Sequence, residues 1–375
     1  MARTIVFIGP GALPIPSEKG AIEEIIWKVS LELSKRGFNT YILNPISKNL
    51  LVKFARSLKL HEILRRVDER PILHFHNIIL CLAYSLTTVK PHVRNTILTL
   101  HYPPWVTKDA NRFILMLSIL RYLTSKGVVL TAPSAAVVHW IRKTFNADVY
   151  LVPNGVDTTI FNPSKRNRGI REKLLGDKEI LITYVARIHP LKNQLDLVKT
   201  VRILVHNYGI RNFRIIFIGP ISGAFGENTR KRTNPYYILI RNYIEKNNLK
   251  DYVTFLGELP NKEEVANILA SSDIYVHTSL TEIAVPLAVM EAMASGLPII
   301  AYKLVYYDFL IHGLNALTVE KGNINDLTQK LLILIEDDDL RRRLGENARK
   351  FVEEHLSWNK IVKNYYIKLY ECLEV

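Results

Sequence analysis

The first 43 residues place a short apolar strand, a Gly/Pro loop and an amphipathic helix in succession, and this order restricts the fold more than any other feature. The run at residues 4–9 (TIVFIG) has the character of a strand, and apolar residues then recur at helical spacing from Ile22 to Leu33. A helix that ends near Gly37 and a second strand at 39–43 complete a β-loop-α-β unit. Such a unit predicts parallel strands joined by a crossover helix, as in a doubly wound α/β sheet.

The same pattern recurs along the chain, and we predict two domains from it. Further strands are predicted at 72–75, 96–100, 128–132 and 149–152, and then at 179–186, 214–218, 253–256, 274–277 and 298–301. A length of 375 residues also favours two cores over one. We assign residues 1–161 to a first Rossmann-like domain, 162–176 to a linker and 177–356 to a second Rossmann-like domain. The helical end at 357–375 is expected to complete the first domain, and the two domains are expected to face a cleft.

Cysteine content and the N-terminus indicate a cytoplasmic protein. The chain has two cysteines, too few for a disulfide framework, and no window of about 20 apolar residues that would span a membrane. The first apolar run gives way to a proline-rich loop where a signal peptide would continue its apolar core. We therefore expect a cytoplasmic location.

Positive charge is concentrated in the first domain. Residues 1–150 contain 20 Lys and Arg against 9 Asp and Glu, so they carry +11 of the net charge of +15. A positive field of this kind suits nucleic acid, an anionic membrane or a phosphorylated ligand. Segment 48–70 interleaves apolar and basic residues and predicts either a helix lying on the inner face of an anionic membrane or an ordinary core helix. A nucleic-acid partner is not expected, because no recognised motif interleaves aromatic and basic residues.

Cations and histidines follow several of the predicted strands. Arg187 and Lys192 come directly after the strand at 179–186 and before a helix, where they would form either a pyrophosphate site or two solvated surface charges. His101 stands at a strand-to-loop junction, where sheet ligands bind. His74 and His76 lie on one face of a strand, and a buried hydrogen-bonded pair is the more common arrangement than a metal site.

Two further stretches have plausible backbone explanations. Amides around Gly20 and Ala21, between the first strand and the first helix, could bind a phosphate or form a plain turn. Three aspartates at 337–339 precede a run of arginines, so a helix cap is favoured over a metal site.

Seven stretches in this order resemble the retaining, nucleotide-sugar-dependent glycosyltransferases of GT-B fold, the group 1 class (glycosyltransferase family four). They are the Gly20-Ala21 loop with Ile22-Glu23, TLHYPP around His101, TAPS with Ser134, VPNGVDTTIFNP at 152–163, the Arg187/Lys192 pair, SSDIYVHTS at 271–279 and PLAVMEAMASGLPII at 286–300. The resemblance covers nearly the whole chain. It implies a metal-independent hexosyltransferase without a cofactor, which moves a sugar from a nucleoside diphosphate sugar to the hydroxyl of a glycan, lipid or small-molecule acceptor.

Site roles are implied by the same resemblance. Glu291 would accept hydrogen bonds from the donor ribose, and Arg187 and Lys192 would neutralise the departing diphosphate. His101 would contact the donor sugar near the reacting carbon. The remaining donor-binding set is Gly20, Ala21, Glu282, Pro286, Leu287 and Ala288.

The chain departs from the family pattern at three places. The first glutamate of the family usually stands eight positions before the second, where this chain has Ile283, and Glu282 is one residue early. Residues 304–307 (LVYY) replace a glycine pair, and Ala21 replaces the second glycine of the N-terminal loop. These differences predict altered sugar contacts, a narrower donor pocket or a degenerate enzyme.

Two alternatives stay open at this point. One is a nucleotide-sugar epimerase or phosphorylase of the same fold, and the other is a noncatalytic, basic nucleic-acid-binding protein. Donor base, donor sugar and acceptor do not follow from the sequence.

Overall fold

The computed structural model describes residues 3–17, 20–47, 49, 52, 71–87, 95–101, 109–221, 234–281, 286–304 and 309–373. These residues form two compact units. The first unit comprises the described parts of Met1–Gly155 and Trp358–Val375, and the second comprises those of Val156–Glu282 and Pro286–Ser357.

A six-stranded parallel sheet forms the framework of the first unit. Its strands are β1 (Thr4–Ile8), β2 (Asn39–Leu43), β3 (Ile72–Phe75), β4 (Thr96–Thr99), β5 (Val129–Ala132) and β6 (Val149–Leu151), in the order β2-β1-β3-β4-β5-β6. The helices described with them are α1 (Ala21–Ser34), α2 (Ile78–Thr87), α3 (Ala110–Ser125) and α4 (Ala135–Phe145). Strands β1, β3 and β4 are buried along their whole length, as expected for parallel strands covered on both faces.

The second unit repeats this architecture with a different strand order. After α5 (Arg168–Leu175), its strands are β7 (Ile180–Val185), β8 (Phe213–Ile218), β9 (Val253–Gly257), β10 (Ile274–His277), β11 (Ile299–Tyr302) and β12 (Ala316–Val319). They lie in the order β12-β11-β10-β7-β8-β9, all parallel. Its other described helices are α6 (Gln194–Asn207), α7 (Pro235–Lys246), α8 (Lys262–Ser271), α9 (Leu287–Ala294), α10 (Ile324–Glu336) and α11 (Asp338–Phe351).

The end of the chain belongs to the first unit. Helix α12 (Trp358–Ile361) continues through a π-helical stretch, Val362–Tyr366, into α13 (Ile367–Cys372). Tyr370 of α13 is fully buried and bonds to His74 of β3, with 2.9 Å between its hydroxyl and Nδ1 of the histidine. A side chain near the C-terminus therefore completes the core around β3.

Strand order fixes where ligands are expected in each unit. In a doubly wound sheet the crevice opens where neighbouring strands connect in opposite directions, beyond their carboxyl ends. This point lies between β1 and β3 in the first unit and between β7 and β10 in the second. All eleven predicted strands are present with ends within one residue of the prediction, and two parallel α/β sheets confirm the predicted fold class.

The observed division of the chain differs from the predicted linker at 162–176. The second unit begins at Val156, and the supposed linker contains α5, whose start is capped by Asn167. Leu175 of α5 is buried against β7 and β8, in a cluster with Leu181 and Ile216. The stretch looked like a linker because its polar and basic residues outnumber its apolar ones, which reach the core only in helical register.

None of the helices in the described residues combines the length and the hydropathy needed to cross a bilayer.

Candidate functional site

Arg187 and Lys192 lie in the loop that follows β7, at one side of the crevice of the second unit. A 3₁₀ turn, Pro190–Lys192, carries the lysine, and the side chain of His189 caps it by accepting a hydrogen bond from the amide of Leu191 at 3.1 Å. The Gln194 side chain, at the start of α6, donates to the backbone carbonyl of Arg187 at 2.9 Å. Both cations therefore sit in a loop whose backbone is held by its own side chains.

A glycine at the end of β8 lets this loop pass close by. A Cβ atom at Gly219 would lie 2.3 Å from the carbonyl oxygen of Ala186 and 2.9 Å from the amide nitrogen of Arg187. Gly219 also has a φ of 140°, in the region that side chains disfavour. The backbone leading into Arg187 occupies the space that any other residue would need.

The pKa of His189 indicates the electrostatic character of the loop. Burial lowers this pKa from its ordinary value of 6.5, and the positive charges of Arg187 and Lys192 lower it further. Because like charges disfavour a third cation, the histidine stays neutral and the two long side chains supply the positive field. The loop is therefore an electropositive surface suited to an anion.

Hydrogen bonds join this loop to the one after β10, across the crevice. The Leu280 amide donates to the carbonyl of Leu191 at 2.9 Å, and the Ser279 hydroxyl donates to the same carbonyl at 3.1 Å. The Thr278 hydroxyl donates to the carbonyl of Asn193 at 2.8 Å. The loop after β7 and the start of the loop after β10 are therefore joined by hydrogen bonds to backbone carbonyls.

Helix α9 presents its N-terminus and one buried carboxylate at the same edge of the sheet. Pro286 begins the helix, its side chain offers no cap, and Leu287 and Ala288 of the first turn are partly exposed. Within the described residues, the amides of Leu287 and Ala288 donate no hydrogen bond. Free amides at a helix start attract anions.

Glu291 lies one turn further along α9, and its environment explains a carboxylate in an apolar helix. The residue is 4% exposed, and its Oε1 accepts a charge-assisted hydrogen bond from the ammonium of Lys262 at the start of α8. The Lys262 ammonium also lies 5.6 Å from the centre of the Phe161 ring. A buried carboxylate needs such a partner to remain charged.

Lys262 does not stand out as a site residue in the sequence. It lies 29 residues before Glu291 in the chain, and a lysine at a helix start is usually a surface residue. Only the position of α8 beside α9 makes it the partner of the site carboxylate.

Two sequence-based assignments cannot be placed. Glu282 lies outside the described residues, as do Ile283 and 305–308. Segment 48–70, apart from Asn49 and Val52, is also outside them.

In the first unit, Gly20 and Ala21 begin α1, and a carboxylate is already close to them. The Glu23 side chain is buried, accepts a hydrogen bond from the Leu13 amide at 3.2 Å, and would lie 2.2 Å from a Cβ atom at Gly20. Asn44 holds the same loop by bonding to the amide of Gly11 and the carbonyl of Leu13. The absence of a side chain at Gly20 thus accommodates Glu23, and a phosphate contact at Gly20 and Ala21 stays a prediction.

His74, His76 and His101 form a stack of three rings at the carboxyl ends of β3 and β4. The rings of His74 and His76 are 4.6 Å apart and those of His76 and His101 are 5.1 Å apart, all nearly parallel. Burial lowers the pKa of His74 to about 3 and that of His101 to about 4. Burial, followed by the charges of the other two histidines, holds the pKa of His76 well below 6.5.

The predicted hydrogen-bonded pair of His74 and His76 is corrected by these contacts. The two rings stack, but His74 bonds to Tyr370 and Thr99, whereas His76 bonds to His101 at 2.8 Å. The His74 and His76 rings lie face to face at 4.6 Å, so their nitrogens point to other elements, and each ring bonds to a residue outside β3 instead. Among the described residues, no three His, Cys, Asp or Glu side chains form a metal site.

The aspartates at 337–339 serve the helix, as the sequence favoured. Asp337 caps α11 by accepting from the amide of Leu340 at 2.8 Å, and Asp338 and Asp339 pair with Arg341 and Arg342.

Comparison with known proteins assigns the chain to a family. The family model for glycosyl transferases group 1 matches residues 166–351, and that for Glycosyltransferase Family 4 matches residues 29–160. Together they cover most of both units.

Relatives and solved structures agree with these matches. The N-acetyl-alpha-D-glucosaminyl L-malate synthase of Bacillus anthracis is 24% identical over 259 residues, which are 68% of this chain and 63% of the relative. The UDP-Gal:alpha-D-GlcNAc-diphosphoundecaprenol alpha-1,3-galactosyltransferase of Escherichia coli is 28% identical over 222 residues, 58% of this chain and 51% of the relative. The match therefore spans between half and two thirds of these relatives.

The crystal structure of Anabaena Alr3699/HepE in complex with UDP superposes with a TM-score of 0.74 at 16% identity, covering 98% of this chain and all of that one. The chain thus belongs to the group 1 glycosyltransferases, and its two six-stranded parallel sheets are the two Rossmann-like domains of their fold.

Proposed function

We propose that this protein is a retaining glycosyltransferase that moves a sugar from a nucleoside diphosphate sugar to an acceptor hydroxyl. The observation that carries the proposal is the crevice of the second unit. There the loop with Arg187 and Lys192 is hydrogen-bonded to the loop after β10, and α9 brings Glu291 to the same sheet edge. Cations for a diphosphate and an acceptor group for ribose thus lie at the same edge of one sheet.

The reaction needs stabilisation of a leaving group. When the bond between the anomeric carbon and the diphosphate oxygen breaks, negative charge develops on the diphosphate and the sugar gains oxocarbenium character. The guanidinium of Arg187 and the ammonium of Lys192 would neutralise that charge, and the first-turn amides of Leu287 and Ala288 would add fixed dipoles. In this proposal no metal ion or cofactor takes part.

Ribose recognition falls to Glu291. Its Oε1 is held by Lys262, which leaves Oε2 as the oxygen that accepts from the ribose hydroxyls. This arrangement differs from a carboxylate that gives both oxygens to the ribose, because the lysine holds one of them and fixes the direction of the other.

The remaining contacts are carried over from the family resemblance. His101 would contact the donor sugar near the reacting carbon, and Gly20, Ala21, Glu282 and Pro286 would line the donor. The acceptor hydroxyl would attack from the face that the diphosphate leaves, so that the anomeric configuration is retained.

UDP is the nucleotide to test first. The Escherichia coli relative is named as using UDP-Gal, and the Anabaena structure holds UDP. Calorimetric titration with UDP, ADP and GDP should give binding to one of them, and Arg187→Ala should weaken it strongly. If none of the three diphosphates binds, the proposal fails.

Product analysis separates the alternatives. Incubation with a panel of nucleotide sugars should release the nucleoside diphosphate and form a glycoside or free sugar. An epimerised nucleotide sugar, or a sugar phosphate formed from inorganic phosphate, would identify an epimerase or a phosphorylase instead. Salt-resistant binding to DNA or RNA would support the nucleic-acid alternative.

We further propose a lipid-linked or membrane-surface acceptor, reached at the cytoplasmic face of an anionic membrane. Helix α3 supports this, because Ile114 and Leu115 on it are 59% and 58% exposed and Arg112 is exposed beside them. Apolar side chains that enter the acyl boundary beside a cation are typical of interfacial helices. The relative from Escherichia coli has a name that specifies a diphosphoundecaprenol-linked acceptor.

Vesicle flotation tests the membrane contact. More protein should float with anionic than with neutral vesicles. The double variant Ile114→Ser/Leu115→Ser should remain in the bottom fraction of the gradient. Ile333→Ser is a matched control, because this residue is 45% exposed on α10 of the second unit. Equal recovery of all three proteins with both vesicle types would reject the membrane contact.

A further inference from the structure

The contacts of His76 and His101 in the first unit indicate which of their ring nitrogens carries a proton. His76 follows β3 and His101 follows β4, and the two rings stack at 5.1 Å with 22° between their planes. Nδ1 of His76 lies 2.8 Å from Nε2 of His101. One nitrogen of each ring is thus committed to the other ring.

The second nitrogens of the two rings have different surroundings. His76 is 4% exposed, and its Nε2 is buried without a hydrogen-bond partner among the described residues. His101 is partly exposed, and within the described residues its Nδ1 makes no hydrogen bond. Nδ1 of His101 is therefore the ring atom of this pair that remains available to a ligand.

His74 does not share this pair's hydrogen bonds. Both of its nitrogens are used, at 2.9 Å from the Tyr370 hydroxyl and 2.6 Å from the Thr99 hydroxyl, and Thr99 bonds on to Thr131 at 2.6 Å. His74 supports His76 only by ring stacking. It is therefore a natural control for the pair.

Proton counting selects one arrangement of the pair. Burial keeps both rings neutral at neutral pH, so each carries one proton and one of them donates to the other. If His101 donated from Nε2, the proton of His76 would sit on its buried Nε2 with no acceptor. If His76 donates from Nδ1, its buried Nε2 carries no proton and leaves only a lone pair without a partner. A buried N–H without an acceptor is the rarer and costlier defect.

We propose that His76 is a positioning residue that fixes the tautomer of His101, so that His101 presents a neutral Nδ1–H to the donor sugar. The hydrogen bond runs from Nδ1–H of His76 to Nε2 of His101. This inference rests on the proposed function, in which His101 contacts that sugar. The class of ligand group it selects is an oxygen acceptor, such as a sugar hydroxyl.

Neutrality matters for the reaction as much as direction does. A sugar that gains oxocarbenium character would be destabilised by an imidazolium close to the reacting carbon, because both would be positive. A neutral N–H donor can orient a hydroxyl without that repulsion. The buried stack thus supplies a donor group and keeps its charge at zero.

The tautomer can be measured on the full-length protein without a substrate. Long-range ¹H–¹⁵N correlation spectra of ¹⁵N-histidine-labelled protein at neutral pH distinguish protonated from bare ring nitrogens, and the signals of His101 are those lost in His101→Gln. The expected result is a protonated Nδ1 and a bare Nε2 for His101. A protonated Nε2 in the wild-type protein overturns the inference.

Three variants separate positioning from packing. His76→Leu should shift the Nε2 signal of His101 into the protonated range, because its donor is gone. His76→Asn keeps an N–H near the position of Nδ1 and should restore the wild-type signals. His74→Gln should leave the signals of His101 unchanged, and an unchanged spectrum in His76→Leu would contradict the inference.

UDP titration of the same samples keeps the two proposals apart. UDP lacks the transferred sugar that His101 is proposed to contact, so His76→Leu should bind it within about twofold of wild type. If the wild-type protein bound none of UDP, ADP and GDP, the proposed function would be removed, whereas the tautomer result depends only on the spectrum.

Discussion

The two units share one kind of parallel α/β sheet, but the ionisable residues beyond its strands are charged in one unit and neutral in the other. At the crevice of the second unit the candidate groups are charged: Arg187 and Lys192 form a positive loop, and Glu291 is paired with Lys262. At the carboxyl ends of β3 and β4 in the first unit, the candidate groups are stacked histidines that burial keeps neutral.

The difference shows that the sheet determines where a site lies, and the residues after its strands determine what the site does. A doubly wound sheet offers a crevice beyond its carboxyl edge whatever the sequence there. In the second unit, cations in a loop suit an anionic leaving group. In the first unit, uncharged rings suit an uncharged sugar. Substitutions and acid should therefore affect the two units differently.

Removal of one cation from the second unit should affect catalysis most. Arg187→Ala is expected to lower the rate of sugar transfer by about 10²- to 10³-fold, which is the usual effect of losing one group that stabilises developing negative charge. Steady-state kinetics with the donor identified in the nucleotide-sugar panel would measure it. Arg168→Ala is the matched control, since this arginine is exposed on α5 and pairs with Glu172. Equal rates for wild type and Arg187→Ala would show that the charge of Arg187 does not contribute to sugar transfer.

Gly219 tests whether the backbone approach holds the positive loop in place. Gly219→Ala is expected to lower the free energy of unfolding by about 3 kcal/mol, because its Cβ would overlap the Ala186 carbonyl and its φ is unfavourable. Gly209→Ala is the control, because Gly209 has a φ of 70° but open space around it, so that a loss of only about 1 kcal/mol is expected. Urea denaturation would measure both. Similar losses in the two variants would show that the close approach contributes nothing beyond backbone strain.

Acid should weaken the first unit through its buried neutral histidines. The folded pKa of His74 is about 3 and its ordinary value is 6.5, so below pH 6.5 the unfolded chain binds a proton that the folded chain does not. The stability contribution is therefore complete above pH 6.5 and is lost as pH falls towards 3, by about 2 kcal/mol between pH 6.5 and 5 for this one residue. His101 should add less, since its ring is partly exposed.

Hydrogen exchange followed by mass spectrometry can locate this loss. Between pH 7 and pH 5, after correction for intrinsic exchange rates, protection of β3 and β4 should fall more than that of β8 and β9. Among the described residues the second unit has a single fully buried histidine, His277. An equal decrease of protection in both units would contradict the view that the buried neutral histidines make the first unit more sensitive to acid.

Lys262 should have the smallest of these effects. Lys262→Met leaves Glu291 buried without its cation, and we expect UDP affinity to fall by about tenfold, or roughly 1.4 kcal/mol, because the carboxylate is no longer directed. Lys262→Arg should retain most of the affinity. Calorimetric titration would measure both, and tighter UDP binding by Lys262→Met would show that the lysine competes with ribose instead of orienting Glu291.

Much of the fold could be predicted because its signals are local. Apolar runs between turn residues predicted the strands from β1 to β11, and those at the sheet centres, such as β1, β3 and β4, are buried on both faces. β12 was missed, because its short run between Gly313 and Gly322 resembles an ordinary loop. Helix α5 was taken for a linker, because its apolar residues form a face only after the helix is formed.

The candidate site was predicted less completely than the fold. Arg187, Lys192 and Glu291 were predicted as site residues, and the structure places them at one edge of the second sheet. Lys262 and the pairing of His76 with His101 were not, because each contact joins elements far apart in the chain.

The repeated strand–helix order, the family and the ionisable residues that follow each strand can be read from the amino-acid sequence, because they depend on short-range periodicity and on local motifs. Which of those residues share a hydrogen bond, and which remain neutral, depends on the folded arrangement of the elements. Partners 25 or 29 residues apart meet only through strand pairing and helix packing, and a pKa shifts only when the surrounding elements remove water.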